Sequence, residues 1–247
     1  TNVFLNNLSK LLNDENNKVP IAEQINAASL VFSNLVTNLD SETVDKLELA
    51  KHPEFADLSN LVIVNGTQGS GKTSVVLGYG VKSAQDSQEV ILGEGNAKVL
   101  LVSNSDGQVN RLVEEAENAG LDIKSINNNK GLSGEVSNDT GYEAVALRDI
   151  LKNNDNIDDV TTIVFDEIGL NEYNVTADGK PKNIPDAPIM VQVLHYVSEI
   201  NKKRGPNNQL KIVGLGDNMQ HVHPEGTLLD TEAVLRNSYL TTNHRSN

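Results

Sequence analysis

Apolar residues recur at helical spacing through about the first forty positions and gather into short continuous runs after that, so the chain reads as a helical leader followed by a strand-bearing region. Val3, Phe4, Leu5, Leu8, Leu11 and Leu12 make one stripe, and Ile25, Phe32, Leu35, Val36 and Leu39 repeat it between Ile21 and Leu39, which predicts two or three packed helices. Pro20 suits the first turn of the second, where its missing N–H has no partner to lose, and His52-Pro53 marks a break. The leader's expected role is structural, covering a sheet edge, with docking on other parts of the parent chain as the alternative. The expected division is a helical segment over 1–56 and one domain over 57–247.

From Leu61 the pattern changes. Leu61-Val62-Ile63-Val64 is an unbroken β-branched run, as in a parallel strand buried on both faces, and it turns through a glycine-rich stretch into Ser74-Val75-Val76-Leu77, a helix start. Glu89 to Asn96 reads as a loop and Lys98 to Ser103 as a second buried strand. Val109 to Ala119 reads as a helix stopped by Gly120, and Leu121 to Ile126 as a short strand. Asn127 to Asp139 is a polar loop and Tyr142 to Lys152 a helix. Val160 to Glu167 is a strand ending in two carboxylates; Gly169 to Pro188, with Gly179, Pro181 and Pro185, is a surface insertion. Ile189 to Lys203 is a helix with Val193, Val197 and Ile200 on one face and Lys202-Lys203-Arg204 capping its end; Leu210 to Leu215 is the last strand. Buried strands alternating with helices predict an α/β fold, a mostly parallel sheet flanked by helices.

The chemistry concentrates where strands end. Gly66-x-x-x-x-Gly71-Lys72-Thr73 fits the Walker A phosphate loop. Over Gly66, Thr67, Gln68, Gly69, Ser70, Gly71, Lys72 and Thr73, glycines let successive N–H groups point inward at phosphate oxygens. Lys72 reaches the β- and γ-phosphates, and Thr73 offers a hydroxyl to Mg²⁺. Asp166-Glu167 fits Walker B, in which the aspartate holds Mg²⁺ and the glutamate polarises the attacking water. The expected fold is therefore a P-loop NTPase, with a nucleoside triphosphate and Mg²⁺ as ligands. His221 and His223 have no third and fourth ligand at recognised spacing, so they are not expected to hold a metal.

Composition narrows the partners. A net charge of −14 and a pI near 4.7 work against a broad electrostatic grip on DNA or RNA. With no cysteine, disulfides and thiolate metal sites are excluded. No apolar stretch reaches membrane-spanning length and the N-terminus lacks a signal-peptide profile, so a soluble protein is expected, cytoplasmic, or in host cytoplasm or virion if phage-encoded. Frequent asparagine, as at Asn127-Asn128-Asn129, hints at an AT-rich genome such as a phage. The chain starts at Thr1 without methionine and ends at Asn247, as expected of a piece of something longer.

Gly216-Asp217-x-x-Gln220 after a buried strand resembles motif III of superfamily 1 helicases, and Tyr239 to Asn247 resembles their motif IV. With the two Walker motifs the four signals stand in the family's order from Gly66 to Asn247. The resemblance implies a first RecA-like motor domain, with ATP between it and a second RecA-like domain of the same parent chain, and single-stranded nucleic acid, DNA favoured, as partner. It implies that Lys72 and Thr73 hold phosphate and Mg²⁺, Asp166 the metal, and Glu167 the hydrolytic water. Gln220 would sense the γ-phosphate, Arg245 would stabilise the transferring phosphoryl group, and Ser103, Asn104 and Ser105 would fall at motif Ia. His221-Val222-His223-Pro224-Glu225-Gly226 is similar to a run in the RecD-like branch, implying 5′ to 3′ movement. No adenine-reading glutamine stands shortly before Gly66, Gln24 being far upstream, so ATP specificity rests on the resemblance alone. With later motifs missing, this chain by itself is expected to bind nucleotide but hydrolyse it poorly. The alternatives are a nucleotide-binding structural or packaged phage-type protein with a helicase-like domain, or another P-loop ATPase such as a small-molecule kinase.

Overall fold

Strands without polar alternation must be covered on both faces, and a computed structural model shows how this chain does so. It describes residues 5–6, 9, 22–36, 61–67, 70–92, 97–121, 124–125, 142–151, 157–168, 187–204, 208–217 and 236–240. The strands are β1 (Leu61–Gly66), β2 (Val99–Ser103), β3 (Lys124–Ser125), β4 (Tyr142–Ala146), β5 (Thr162–Phe165), β6 (Lys211–Gly216) and β7 (Arg236–Leu240). They form one sheet in the order β3-β4-β2-β5-β6-β1-β7, and every pairing is parallel. The architecture is thus α/β, a parallel sheet flanked by helices, consistent with a RecA-like domain.

Alternate residues of β1, β2, β4, β5 and β6 feed two cores. On one face Val62, Val64, Leu101 and Val213 pack with α1 (Ala22–Val36) and with the helix that follows β1. That helix runs as α2 (Lys72–Val75), a π-helical segment (Val76–Val81) and α3 (Lys82–Leu92). α4 (Asp106–Asn118) joins them through Val109, Leu112 and Ala116. On the other face Leu61, Ile63, Leu100, Phe165 and Ile212 pack with α5 (Leu147–Ile150) and α6 (Ile189–Arg204), the latter through Met190, Val193, Leu194 and Val197. Burial of each such side chain contributes about 1.5–3 kcal/mol. Ala27, Ala28, Val31, Phe32 and Leu35 of α1 are buried in the first core, so this helix belongs to the same packed unit as the sheet. A Cβ at Gly80 would lie 3.1 Å from the Ala28 carbonyl oxygen and from Val31 Cγ1, so glycine there lets the π segment approach α1.

Four local expectations change. The region after the phosphate loop stays helical to Leu92, anchored by Gln85 Nε2 donating to the Ala97 carbonyl at 3.0 Å and Gln88 Nε2 to that of Leu35 at 3.2 Å. Tyr142 to Ala146 forms a strand and not a helix, because β2 offers a parallel partner from Val99 to Ser103 and the small Ala144 and Ala146 fit beneath the packed helices. That partner outweighs the helix propensity of a segment containing alanine and glutamate. β7 adds a strand beside β1 that includes Tyr239 and Leu240, where the sequence predicts a motif and no strand. Lastly, Arg204 does more than offset the end of its own helix: it donates to the carbonyls of Val160 at 2.7 Å and Ile157 at 3.2 Å and to that of Asp158, tying α6 to the turn before β5. Arg204→Ala is expected to lower stability by about 2 kcal/mol, read as a lower urea midpoint at unchanged slope. His52-Pro53, the Asn127–Asp139 loop and Gly169 to Asp186 lie outside the described residues, as does most of the first apolar stripe, of which Leu5 is described and helical.

Candidate functional site

Because the sheet is wholly parallel, every strand releases its following loop at the same edge. β1 and β5 are separated by β6 alone, with Ile63 level with Gly214 and Gly214 level with Phe165. The turn after β1 and the acidic end of β5 therefore face each other across one strand. Lys72 and Asp166 share this edge, near enough that the lysine's charge acts on the carboxyl.

The glycine turn is built from the backbone. β1 ends at Gly66, which is buried, and Thr67 is exposed; the Ser70 N–H donates to the Thr67 carbonyl at 3.1 Å. Gly71 then takes φ 75°, a left-handed conformation that a side chain would strain, and its carbonyl accepts from the Val75 N–H at 3.0 Å as the helix starts. Gln24 on α1 supports the turn from behind, its Nε2 donating to the Ser70 carbonyl at 3.0 Å. A Cβ at Gly71 would sit 2.7 Å from that nitrogen. Far upstream in sequence, Gln24 is adjacent to the loop in space. Lys72 is 7% exposed and Thr73 is buried.

A polar group sealed from water without a partner costs about 1–3 kcal/mol. This edge holds several: the Asn65 amide, the Ser70 hydroxyl and the Ser103 hydroxyl are buried with no hydrogen-bond partner among the described residues. A buried cation, unused hydroxyls and the first N–H groups of a helix fit an anionic ligand such as a triphosphate.

At the other side of β6, the Asp166 N–H donates to the Val102 carbonyl at 2.8 Å, which fixes the end of β5 against β2. Asp166 is 5% exposed. Burial first, then the charges of Glu167 and Glu115, push its carboxyl up from 3.8 to about 7, while Lys72 and Arg111 pull the other way. A buried carboxyl that resists ionising beside other carboxylates fits a site completed by a cation, with few protein ligands as Mg²⁺ prefers. Glu167 follows with φ 51°. Its carbonyl accepts from Asn104 Nδ2 at 3.4 Å, and its carboxylate lies 3.6 Å from Arg111 Nη2. Ile168, fully buried, anchors the turn beneath: its Cδ1 lies 2.8 Å from where Gly214 would carry a Cβ.

The structure thus brings Gly66, Thr67, Ser70, Gly71, Lys72, Thr73, Asp166 and Glu167 to one edge, with Ser103 and Asn104 at the end of neighbouring β2. Asp217 follows β6 between the two halves and is buried. Gln68, Gly69, Gln220, His221, His223 and Arg245 lie outside the described residues. Gln24, Arg111 and Glu115 also belong to this edge, though each occupies an ordinary position on a helix that gives no sign of it in the sequence.

No protein-family model and no curated protein matches the chain. Among solved structures it is similar to arterivirus nonstructural protein 10, a helicase, with a TM-score of 0.38 and 12% identity over 77% of this chain and 36% of that one. This chain spans about a third of that helicase's length.

Proposed function

We propose that this chain is the ATP-binding first motor domain of a superfamily 1 helicase or translocase, hydrolysing ATP to move on single-stranded nucleic acid, DNA in preference to RNA. The observation that supports it most is the meeting of Lys72 with Asp166 and Glu167 at one sheet edge, on either side of β6. In this reading the backbone from Gly66 to Thr73 cradles the phosphates and Lys72 neutralises the β- and γ-oxygens; Thr73 and Asp166 are the residues that would hold Mg²⁺. Bound there, the cation would offset the charge on the phosphate oxygens and on Asp166. Glu167 takes a proton from water as the water oxygen bonds to the γ-phosphorus; the bond to the β–γ bridging oxygen breaks, and its electron pair leaves with the diphosphate. Gln220 and Arg245 take the γ-phosphate-sensing and charge-stabilising roles on the strength of the family resemblance, which also supplies the second RecA-like domain and the RecD-like direction. A cytoplasmic location belongs to the same proposal; among the described residues no helix is long and apolar enough to cross a membrane.

Glu167→Gln is the direct test, since it keeps shape and removes the base. Nucleotide affinity is expected to stay within about threefold and turnover to fall about a hundredfold. Unchanged turnover would remove Glu167 from the chemistry. Stimulation by single-stranded DNA or RNA tests the motor assignment in the full-length protein. The net charge of −14 supports a second reading, a nucleotide-binding structural or packaged protein with no nucleic-acid partner. Glu167-dependent hydrolysis that neither DNA nor RNA accelerates would select it.

A further inference from the structure

The proposed base sits in an electrostatically awkward place. Glu167 is the one non-glycine residue with positive φ among the described residues, a conformation unfavourable for a side chain with a Cβ. Asp166 precedes it, and Glu115 on α4 also faces the same edge. Three carboxylates so close repel one another, and repulsion of this kind turns a partly exposed glutamate outward. Two contacts oppose it, and both come from the segment that follows β2: the Asn104 amide on the Glu167 carbonyl, and the Arg111 guanidinium on its carboxylate.

Arg111 is well placed to hold without unfolding anything. Val109, Leu112, Val113 and Ala116 bury α4 against the core, leaving Arg111 on the flank, 49% exposed. Its Nε lies 3.3 Å from Glu115 Oε1, one helical turn on, and its Nη2 lies 3.6 Å from Glu167 Oε1. A guanidinium can span two carboxylates in this way, with Glu115 orienting the fork. At 3.6 Å the contact with Glu167 is electrostatic and longer than a hydrogen bond, so the carboxylate's lone pairs stay open to a water proton.

We propose that Arg111 is a positioning residue for hydrolysis: steadied by Glu115, it holds the Glu167 carboxylate at the phosphate edge against the repulsion of its acidic neighbours. This rests on the reading of Glu167 as base given above. Arg111 is half-exposed, and at 3.6 Å from Glu167 it makes no hydrogen bond there, so loss of its charge should appear chiefly in catalysis and leave the fold intact.

The test measures steady-state ATP hydrolysis by the full-length protein carrying Glu167→Gln, Arg111→Gln or Arg111→Lys, with melting temperature and fluorescent-nucleotide affinity measured alongside. Arg111→Gln is expected to lower kcat roughly tenfold to a hundredfold with KM within about twofold, because misplacing a reacting group by about 1 Å has effects of this size. Arg111→Lys keeps the charge and is expected to return kcat to within about fivefold of wild type. An unchanged kcat in Arg111→Gln, a loss carried by KM, or a loss that tracks a lowered melting temperature and is not rescued by lysine would overturn the proposal. If wild type hydrolyses no ATP, or Glu167→Gln hydrolyses it normally, the reading of the site itself fails, a result distinct from any of these.

Discussion

Asp166→Asn should make the nucleotide-free protein more stable above neutral pH and, in the same molecule, remove Mg²⁺-dependent turnover. Burial and the charges of Glu167 and Glu115 raise the folded-state carboxyl from 3.8 to about 7. Between those values the folded protein binds a proton that the unfolded chain has released, so stability falls as pH rises through this window and levels off above it. The span corresponds to about 4 kcal/mol at most, counting about 1.36 kcal/mol per pH unit. Asparagine has the same shape and no charge to desolvate. Urea denaturation of both proteins at pH 4, 5.5 and 8 should therefore show curves that coincide at the lowest pH and separate progressively, the variant being the more stable. Mg²⁺ with nucleotide should narrow the gap at pH 8 by stabilising wild type, since a ligand that binds only the folded state shifts the equilibrium by mass action. Parallel stability profiles would mean that folding does not raise the Asp166 carboxyl.

The second large effect is expected at Lys72. Its ammonium is buried beside a turn made of backbone donors and is the cation at the head of the helix. Lys72→Ala should cost roughly 10²–10³-fold in kcat/KM for ATP, the scale found when a preorganised charge-stabilising group is deleted, and should also weaken nucleotide binding measured without turnover. Because Lys72 also opposes the rise in the Asp166 pKa, its removal should leave that carboxyl more protonated and the metal less firmly held. Wild-type affinity in a well-folded Lys72→Ala protein would exclude a phosphate-binding role.

Much of this arrangement could be read from sequence where one physical demand had no competitor. β1, β2, β5 and β6 are apolar runs that only a doubly covered strand can bury, and both their existence and their shared parallel direction follow from that pattern. The left-handed Gly71 belongs to the same class, since the spacing of the glycines already demanded freedom there. Tyr142 to Ala146 was harder, because its alanines suit a helix and the deciding partner, β2, lies some forty residues earlier. Gln24 and Arg111 show a further limit. A polar residue on an amphipathic helix carries no local sign of what it touches, and these two find Ser70 and Glu167 only after the helices dock on the sheet. Arg111 with Glu115 looks like an ordinary pair one turn apart; only the fold adds the third charge.

The strand order also bears on how the protein is made. β1 leaves the ribosome before every other described strand, yet both its neighbours, β6 from Lys211 and β7 from Arg236, are the last of those strands to be translated. At about 5–20 residues per second, that leaves the phosphate-loop strand with both edges bare for roughly ten to thirty seconds. An unpaired apolar strand is an invitation to wrong partners. Slower synthesis or scarce chaperones should therefore lower the soluble yield of this chain more than its final stability would suggest.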